Sequence, residues 1–414
     1  MQANRYKIFH WAVVFAFFVF TTSCVEEYWP ELNANSDQLL VVDGKITNFP
    51  GPYTVKLSSS GSINDPEYIP VSGAKIRIID NQGNQEFLSE KNAGIYETSP
   101  SGMQGIIGRS YKIRIELNNG KIYESDFQEL LNPVEVDEIS YAETWKLAEN
   151  ELEFDQEGFQ FYVSSKRADN PQTYFYWEVE ETYEYHSDYE IVLVYDGLVH
   201  DTDFHNPYGF DRTINPDTLF FCWTTQNIPE RFSYSTEYLS IPSVNKLPLH
   251  FVPFADERLK VKYSIQVKQF TLSEEAFTFI DQLDKQNSSS EALFTTQPFQ
   301  IRGNLRNLDD DTEPVLGYFM VASGTKSEHL LCKAPERIRY DRTKCSADTT
   351  TYAITNNMRI ASAESLPLYY TYVYFENPDQ TLAEAIEALA WVRQDCLDCT
   401  RKGGSPIKPE YWDW

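Results

Sequence analysis

Basic residues are scarce in this chain. Its 414 residues carry 35 Lys and Arg against 62 Asp and Glu, which gives a formal net charge of −27 at pH 7. A surface this negative repels phosphate backbones and anionic lipid headgroups. It therefore argues against nucleic acid as a partner and against electrostatic docking to a membrane. The charge is typical of a well-solvated exported protein, and an acidic binding face for cations or basic partners is the alternative.

Strong catalytic and metal-binding motifs are also lacking. The cluster His200–His205 contains metal-ligand types, but nothing in the sequence fixes them on one rigid face. The acidic run Asp309–Asp311 lacks the alternating spacing and the glycine of a calcium loop. We therefore expect no catalytic residue, no metal site and no cofactor. A hydrolase that acts on extracellular glycan or peptide is the alternative, because the 62 acids offer many carboxylate pairs, although no pair is singled out by its context.

The first 24 residues have the pattern of a lipoprotein signal peptide. Arg5 and Lys7 precede an uncharged apolar run, 8–20, which is shorter than the roughly 20 residues that a membrane-spanning helix needs. Small residues then lead to Cys24. We expect removal of residues 1–23, lipidation of the Cys24 thiol and a polar tether over residues 24–38. An ordinary secretory signal with an incidental cysteine is the alternative.

Apolar and polar residues alternate in six segments, which is the pattern of strands with one solvent-exposed face. Aromatic residues make up 15% of the sequence and favour the same assignment. Within 112–125, Asn119-Gly120 separates two alternating runs and predicts a β-hairpin. The sequence thus predicts a mainly β fold. The six segments are Thr54–Ser58, Lys75–Asp80, Tyr111–Leu117, Phe159–Ser164, Leu259–Phe270 and Tyr369–Phe375.

Two segments have the periodicity of a helix. Ser273 is placed as the N-cap of Glu274–Gln286, whose first turn is acidic. The second segment is Leu382–Arg393. We expect both helices to pack on the core rather than to form a site. Their apolar faces are Phe277, Ile280 and Leu283 in the first and Leu382, Ile386 and Leu389 in the second.

Two regions follow the tether. Residues 39–131 contain Val41-Val42-Asp43-Gly44, Val71-Ser72-Gly73-Ala74 and Gly94-Ile95-Tyr96. This pattern resembles the prealbumin-like, carboxypeptidase-regulatory type of immunoglobulin-like β-sandwich, which implies a spacer or docking module. Residues 132–414 predict a larger antiparallel β-sandwich or incomplete barrel that holds one or two short helices.

Five cysteines follow Cys24, namely Cys222, Cys332, Cys345, Cys396 and Cys399. Cys396 and Cys399 have the spacing of a redox dithiol or of half a zinc ribbon, and Cys332 with Cys345 could supply the other half. We favour structural disulfides near the C-terminus, because an oxidising compartment favours bridges over thiolate ligands. The odd number leaves at least one thiol over, and the connectivity stays open.

Several motifs follow one another along the second region. They are Phe221-Cys222-Trp223, Ile301-Arg302-Gly303-Asn304-Leu305-Arg306-Asn307, Val315-Leu316-Gly317-Tyr318-Phe319, and Cys396-Leu397-Asp398-Cys399-Thr400-Arg401-Lys402-Gly403-Gly404 with Lys408-Pro409-Glu410-Tyr411-Trp412. Together they resemble the Bacteroidota lipoproteins grouped as domain-of-unknown-function family 4249. The resemblance brings no known activity. It implies an outer-membrane lipoprotein that is often associated with a TonB-dependent receptor.

Two acids, Glu26 and Glu27, stand just beyond Cys24. They are similar to the acidic export signal that sends many lipoproteins of that phylum to the cell surface. We therefore expect a lipid-anchored outer-membrane protein that faces the outside of the cell. A periplasm-facing anchor is the alternative.

These observations predict a non-enzymatic accessory or capture partner of a TonB-dependent receptor, in nutrient uptake or envelope assembly. A structural or adhesive surface protein is a further alternative. Tyrosines in the aromatic, acidic stretch 174–208 can stack on a sugar or pack at an interface. The tyrosines with this expected role are Tyr183, Tyr185, Tyr189, Tyr195 and Tyr208.

Overall fold

The protein is mainly β in its computed structural model. The structure describes residues 39–61, 68–148, 153–189, 193–195, 210–211, 219–289, 301–340, 345, 369–374, 387–390 and 394–412. Within these residues, no helix is both long enough and apolar enough to cross a membrane. The strands of the first region are β1 (Leu40–Thr47), β2 (Thr54–Ser59), β3 (Ile69–Pro70), β4 (Lys75–Asp80), β5 (Gln85–Phe87), β6 (Ser89–Asn92), β7 (Ile95–Glu97), β8 (Ser110–Glu116), β9 (Ile122–Ser125) and β10 (Gln128–Glu129).

The second region adds fourteen described strands and one described α-helix. The strands are β11 (Val136–Lys146), β12 (Gln156–Ser165), β13 (Tyr174–His186), β14 (Leu193–Tyr195), β15 (Phe210–Asp211), β16 (Phe221–Asn227), β17 (Phe232–Ser235), β18 (Leu247–Pro253), β19 (Lys262–Leu272), β20 (Leu305–Asn307), β21 (Leu316–Lys326), β22 (Leu330–Cys332), β23 (Tyr369–Tyr374) and β24 (Glu387–Ala390). The helix is α1 (Glu274–Ser289). The mainly β fold class is confirmed, and each of the six alternating segments contains most or all of a strand.

The first region folds as the alternation predicts. Ile76 and Ile78 on β4 and Ile113 and Ile115 on β8 are fully buried, while the residues between them are partly exposed. The predicted hairpin is present, because β8 pairs with β9 across the Asn119-Gly120 turn and Gly120 has φ 88°. A left-handed backbone of this kind favours glycine. These strands enclose one apolar core.

Two later strands complete this core. β21 lies parallel to β1, and β20 pairs with β9, so residues 305–326 return to the first region. Leu305 and Phe319 join its buried cluster. The long sheet therefore runs β16-β13-β19-β21-β1-β2-β7-β6 through both regions. The predicted boundary at residue 131 stays a prediction. The structure shows that strands from both sides of it belong to one sheet.

The motifs around Gly303 and Gly317 are explained by this return. A Cβ on Gly317 would lie 2.0 Å from the Val42 carbonyl oxygen, and one on Gly303 would lie 1.7 Å from the Gly317 carbonyl oxygen. Asn304 then bonds Phe319 twice, because its Nδ2 donates to the Phe319 carbonyl at 2.8 Å and its Oδ1 accepts from the Phe319 amide at 2.9 Å. Both glycines permit close backbone approach, and the asparagine holds the parallel strand in register.

The first predicted helix is confirmed and the second is wrong. The Ser273 hydroxyl oxygen accepts from the Ala276 amide at 3.2 Å at the start of α1, which packs Ile280 into a buried cluster. In the second segment, Glu387–Ala390 is strand β24 and pairs antiparallel with β23. Residues 382–386 and 391–393 lie outside the described residues. Pairing with another strand overrides the local helical period there.

Candidate functional site

The hairpin of β11 and β12 ends in exposed apolar side chains. The strands pair from Val136↔Ser165 to Lys146↔Gln156, and the Ala148 amide donates to Asp155 Oδ1 at 2.9 Å beyond the last pair. Trp145 is 60% exposed, Leu147 70% and Phe154 87%. We refer to these three residues as the hairpin tip. Exposed apolar side chains at the end of a hairpin can mark an interaction surface.

The base of the same hairpin is firmly packed. Phe159 and Phe161 on β12 are buried, and the Tyr141 ring contacts the Phe159 ring edge-on with 4.7 Å between centroids. The Phe254 ring also contacts Phe159 edge-on, with 4.9 Å between centroids. Aromatic pairs of this geometry add stability beyond simple burial. The hairpin tip is therefore carried on a rigid support.

β11 is an edge strand. Its sheet runs β11-β12-β18, so β12 is the strand that pairs with it among the described residues. None of its eleven residues is buried, whereas β12 buries six of its ten. One long side of β11 thus faces solvent within the described part of the molecule. Edges of this kind can pair with another chain.

The hairpin is strongly acidic. Residues 135–157 contain nine Asp and Glu and one Lys, a net charge of −8. Arg337 reaches this surface from elsewhere in the chain, and its Nη2 lies 2.8 Å from Glu143 Oε2 and 2.7 Å from Glu157 Oε1. The guanidinium also lies over the Phe254 ring at 5.5 Å. Hydrogen bonds to the two carboxylates raise the pKa of Arg337. The hairpin surface thus already accommodates one guanidinium.

Glu181 is a buried acid, in contrast to the exposed acids of the hairpin. Glu181 on β13 is 1% exposed. Arg258 Nη1 donates to both of its carboxylate oxygens, at 2.8 and 2.7 Å. The Tyr263 hydroxyl and Gln226 Nε2 each donate to it at 2.6 Å. Asp256 completes the arrangement by accepting from Arg258 Nη2 at 2.7 Å. We call these five residues and His250 the Glu181 cluster.

The titration of this cluster follows from burial and pairing. Burial lowers the pKa of His250, and the negative charge of Glu181 opposes this only in part. His250 Nε2 lies 4.0 Å from Glu181 Oε2 and has no hydrogen-bond partner among the described residues. Burial also raises the pKa of Tyr263 well above its ordinary value. At Asp256, burial raises the pKa, but bonds from Arg258 outweigh it and the pKa is lowered.

The Glu181 cluster is organised for stability. A buried carboxylate with several donors, one of them a guanidinium, is fully compensated. Its groups join β13, β16 and β19 to the segment around residues 256–258. The arrangement leaves little carboxylate capacity for a substrate.

Two disulfides hold the C-terminal segment, residues 394–412, and one of them ties it to the large sheet. Cys222 on β16 is bonded to Cys399, and Cys345 is bonded to Cys396. The predicted structural disulfides are confirmed, and the two cysteines of the Cys-x-x-Cys motif bond to different partners. Cys332 is the remaining described thiol, and burial raises its pKa to about 12. A thiol of this kind is unreactive.

Aromatic contacts close the C-terminal segment over β13. Trp412 is buried, and its indole Nε1 donates to Glu184 Oε2 at 2.6 Å. The Tyr411 ring stacks on His329 with 3.4 Å between centroids. Lys262 donates to the Trp412 carbonyl oxygen. The closing motif Lys408–Trp412 of the sequence therefore has a structural role in covering the sheet.

Most of this chain matches a known protein family. The sequence model of a family described as a domain of unknown function, DUF4249, matches residues 25–328. This chain belongs to the DUF4249 family. No curated protein matches it. The matched span of this DUF4249 protein includes the hairpin and most of the second region, and it ends before the Cys396–Cys399 motif.

Three of the predicted tyrosines of this DUF4249 protein lie near or against the C-terminal segment. The Tyr185 hydroxyl donates to the Cys399 carbonyl at 2.6 Å, and the Tyr189 hydroxyl donates to the Cys345 carbonyl at 3.2 Å. Tyr183 packs against the second-region core and lies 6.1 Å from the Tyr185 ring. Their expected role in ligand binding or at an interface stays a prediction. The side chain of Tyr195 and all of Tyr208 lie outside the described residues.

The other predicted sites give mixed outcomes. Cys24, Glu26, Glu27 and His200–His205 lie outside the described residues. In the run Asp309–Asp311, the Asp310 carboxylate accepts from the amide and hydroxyl of Thr312, which is a local turn. Asp188, Cys345 and Cys396 place potential metal ligands within 4.8 Å of one another. Their two sulfurs form a disulfide and are therefore not thiolate ligands.

The hairpin tip is the functional candidate that sequence reasoning missed. Its signal is present, because residues 135–157 combine a net charge of −8 with Trp145 and Phe154. The whole chain is acidic, however, so the local excess was not distinguished from the general one. The two aromatic side chains are exposed because the hairpin extends beyond the end of β18, and the sequence alone does not show this.

Proposed function

We propose that this DUF4249 protein is a non-enzymatic, surface-exposed outer-membrane lipoprotein that docks on a TonB-dependent receptor through the β11–β12 hairpin. The observation that carries this proposal is the exposed apolar hairpin tip on a packed aromatic base. Interfaces are enriched in Trp and Phe, and such anchors supply most of the binding energy when they enter a partner's pocket.

Anchoring by lipid complements this mode of binding. Two or three acyl chains at Cys24 hold the protein at the membrane without a basic patch, which suits a chain of net charge −27. The tether 24–38 then lets the β-sandwich regions reach a receptor in the same membrane. Confinement to one membrane raises the effective concentration of the two partners, so a modest interface suffices.

The experiment is affinity purification of the full-length protein from outer membranes with identification of the captured barrel by mass spectrometry. We expect a TonB-dependent receptor to copurify with the native protein and to be lost with the double variant Trp145→Ser, Phe154→Ser. Tyr238→Ser is the matched control, because Tyr238 is a 90% exposed aromatic side chain on a different loop. Equal recovery of the receptor with the native protein and the tip variant would contradict the proposal.

Localisation is tested separately. Cys24→Ala removes the lipidated thiol and is expected to release the protein from the membrane fraction. Protease added to intact cells is expected to cleave the native protein, whereas a periplasm-facing anchor predicts protection.

A further inference from the structure

We infer that the outer edge of β11 binds an extended, Arg- or Lys-bearing segment of the partner as an additional β-strand. This inference rests on the proposed function, because it assigns the chemistry of the partner at the same hairpin. The open edge of β11, the acids along it and the Arg337 guanidinium bound on one face of the hairpin support it.

The edge is long and regular. β11 has eleven residues, contains no Pro or Gly, and has one irregularity in its pairing, between Val136 and Glu138. From Glu138 to Lys146 the register with β12 is continuous. At about 3.3 Å per residue, this stretch offers about 30 Å of backbone. Outward-facing amides and carbonyls along an edge bond either water or another strand.

Charge selects the occupant. β11 carries Asp137, Glu138 and Glu143 against Lys146, and the whole hairpin has a net charge of −8. A second copy of this chain would bring like charges together at the same edge, which is destabilising. A basic strand would instead face complementary charges. The acidic edge thus disfavours self-association and favours a partner of opposite sign.

Arg337 shows how a guanidinium is recognised on one face of the hairpin. It bonds Oε2 of Glu143 and Oε1 of Glu157, while the Glu143 side chain stays 47% exposed. Tyr141, Glu143 and Trp145 lie on the same face of β11, because alternate residues share a face. We therefore expect the partner strand to place a basic residue beside Glu143. On the same face, its neighbouring side chains are expected to pack on the rings of Tyr141 and Trp145.

The test uses the full-length protein and a nine-residue peptide that alternates Arg and Val. Binding is measured by fluorescence anisotropy, and the site is measured by hydrogen–deuterium exchange of β11 amides. We expect the peptide to slow exchange along β11. The same peptide N-methylated at every second amide keeps its charge but loses one row of strand hydrogen bonds. We therefore expect its affinity to be at least about tenfold lower. A peptide that alternates Glu and Val is expected not to bind.

Variants of the protein test the charge selection. Glu138→Gln with Glu143→Gln is expected to weaken binding of the Arg peptide about tenfold. Asp311→Asn is the matched control, because Asp311 is an exposed acid in the turn after β20, and it is expected to leave binding unchanged. Equal binding of the plain and N-methylated Arg peptides, or unchanged exchange of β11 amides at saturating peptide, would overturn the inference.

The outcome is separable from that of the proposed function. If the receptor copurifies in a tip-dependent manner and β11 stays unprotected by the peptide, docking through the hairpin stands and strand addition is wrong. If the peptide protects β11 and no receptor copurifies, the edge binds basic strands and the assignment of the partner as a TonB-dependent receptor is wrong.

Discussion

The Glu181 cluster and the β11–β12 hairpin use the same residue type in opposite ways. Glu181 is buried and accepts hydrogen bonds from Arg258, Tyr263 and Gln226. Glu143 is half-exposed and shares one surface guanidinium with Glu157. A compensated buried carboxylate contributes to the fold, whereas exposed carboxylates on an edge strand stay available to a group of opposite charge. In an acidic chain, the surroundings of an acid therefore say more than its abundance.

Among the buried, structural features of the molecule, removal of the Cys222–Cys399 disulfide is expected to have the largest effect on the free energy of unfolding. The two bonded cysteines are 177 residues apart in sequence. Loss of the bond raises the conformational entropy of the unfolded chain and detaches the C-terminal segment from β16. We expect Cys222→Ser with Cys399→Ser to lower the free energy of unfolding by about 4 kcal/mol. Denaturant unfolding measures it. Cys332→Ala, which removes no bridge, is the control, and equal losses in the two variants would contradict the structural role of the bridge.

Glu181→Gln is expected to lower the free energy of unfolding by about 3 kcal/mol, because it leaves the Arg258 charge with Asp256 as its remaining acidic partner. Glu143→Gln on the hairpin is expected to change it by less than about 0.5 kcal/mol. Denaturant unfolding of both variants checks this contrast directly. Similar losses at the two positions would show that the buried and exposed acids do not differ as described.

A pH titration sharpens the contrast further. Burial lowers the pKa of His250 in the folded protein, so the unfolded chain binds a proton first as the pH falls. The stability that neutral His250 contributes is present above about pH 6.5 and is lost as the pH falls from there through the folded-state pKa. We expect the difference in unfolding free energy between the native protein and His250→Gln to shrink between pH 7.5 and pH 5. A constant or growing difference would contradict this.

An equally small effect on stability is expected at the hairpin tip. Trp145→Ser with Phe154→Ser removes exposed side chains, so we expect the free energy of unfolding to change by less than about 0.5 kcal/mol. Thermal and denaturant unfolding measure it. A loss of several kcal/mol would show that these rings support the fold. It would contradict the proposal that the hairpin tip serves to bind a partner.

Local patterns in the sequence predicted most of what is local in the fold. Alternation located β4 and β8, and Asn119-Gly120 located the hairpin between β8 and β9, because these depend on neighbouring residues. The segment Leu382–Arg393 misled, since a short apolar period fits a helix as well as part of a strand.

Features that depend on distant pairing were not accessible in this way. β1 and β21 are separated by most of the described chain, and the residues of their contact that stand out in the sequence are Gly303, Gly317 and Asn304. Glu181, Gln226 and Arg258 likewise come together only after the sheet has formed. The acidic excess of residues 135–157 was readable, but its meaning required the position of β11 at a sheet edge.

Site-specific photo-crosslinking tests the central claim most directly. A benzophenone amino acid replaces Trp145 in the full-length protein, and the membranes of irradiated cells are analysed by mass spectrometry, with the same amino acid at Tyr238 as the control. The account predicts a crosslink from position 145 to a TonB-dependent receptor and none from position 238. Crosslinks to that receptor from position 238 alone, or from neither position while the receptor is present, would contradict docking through the hairpin.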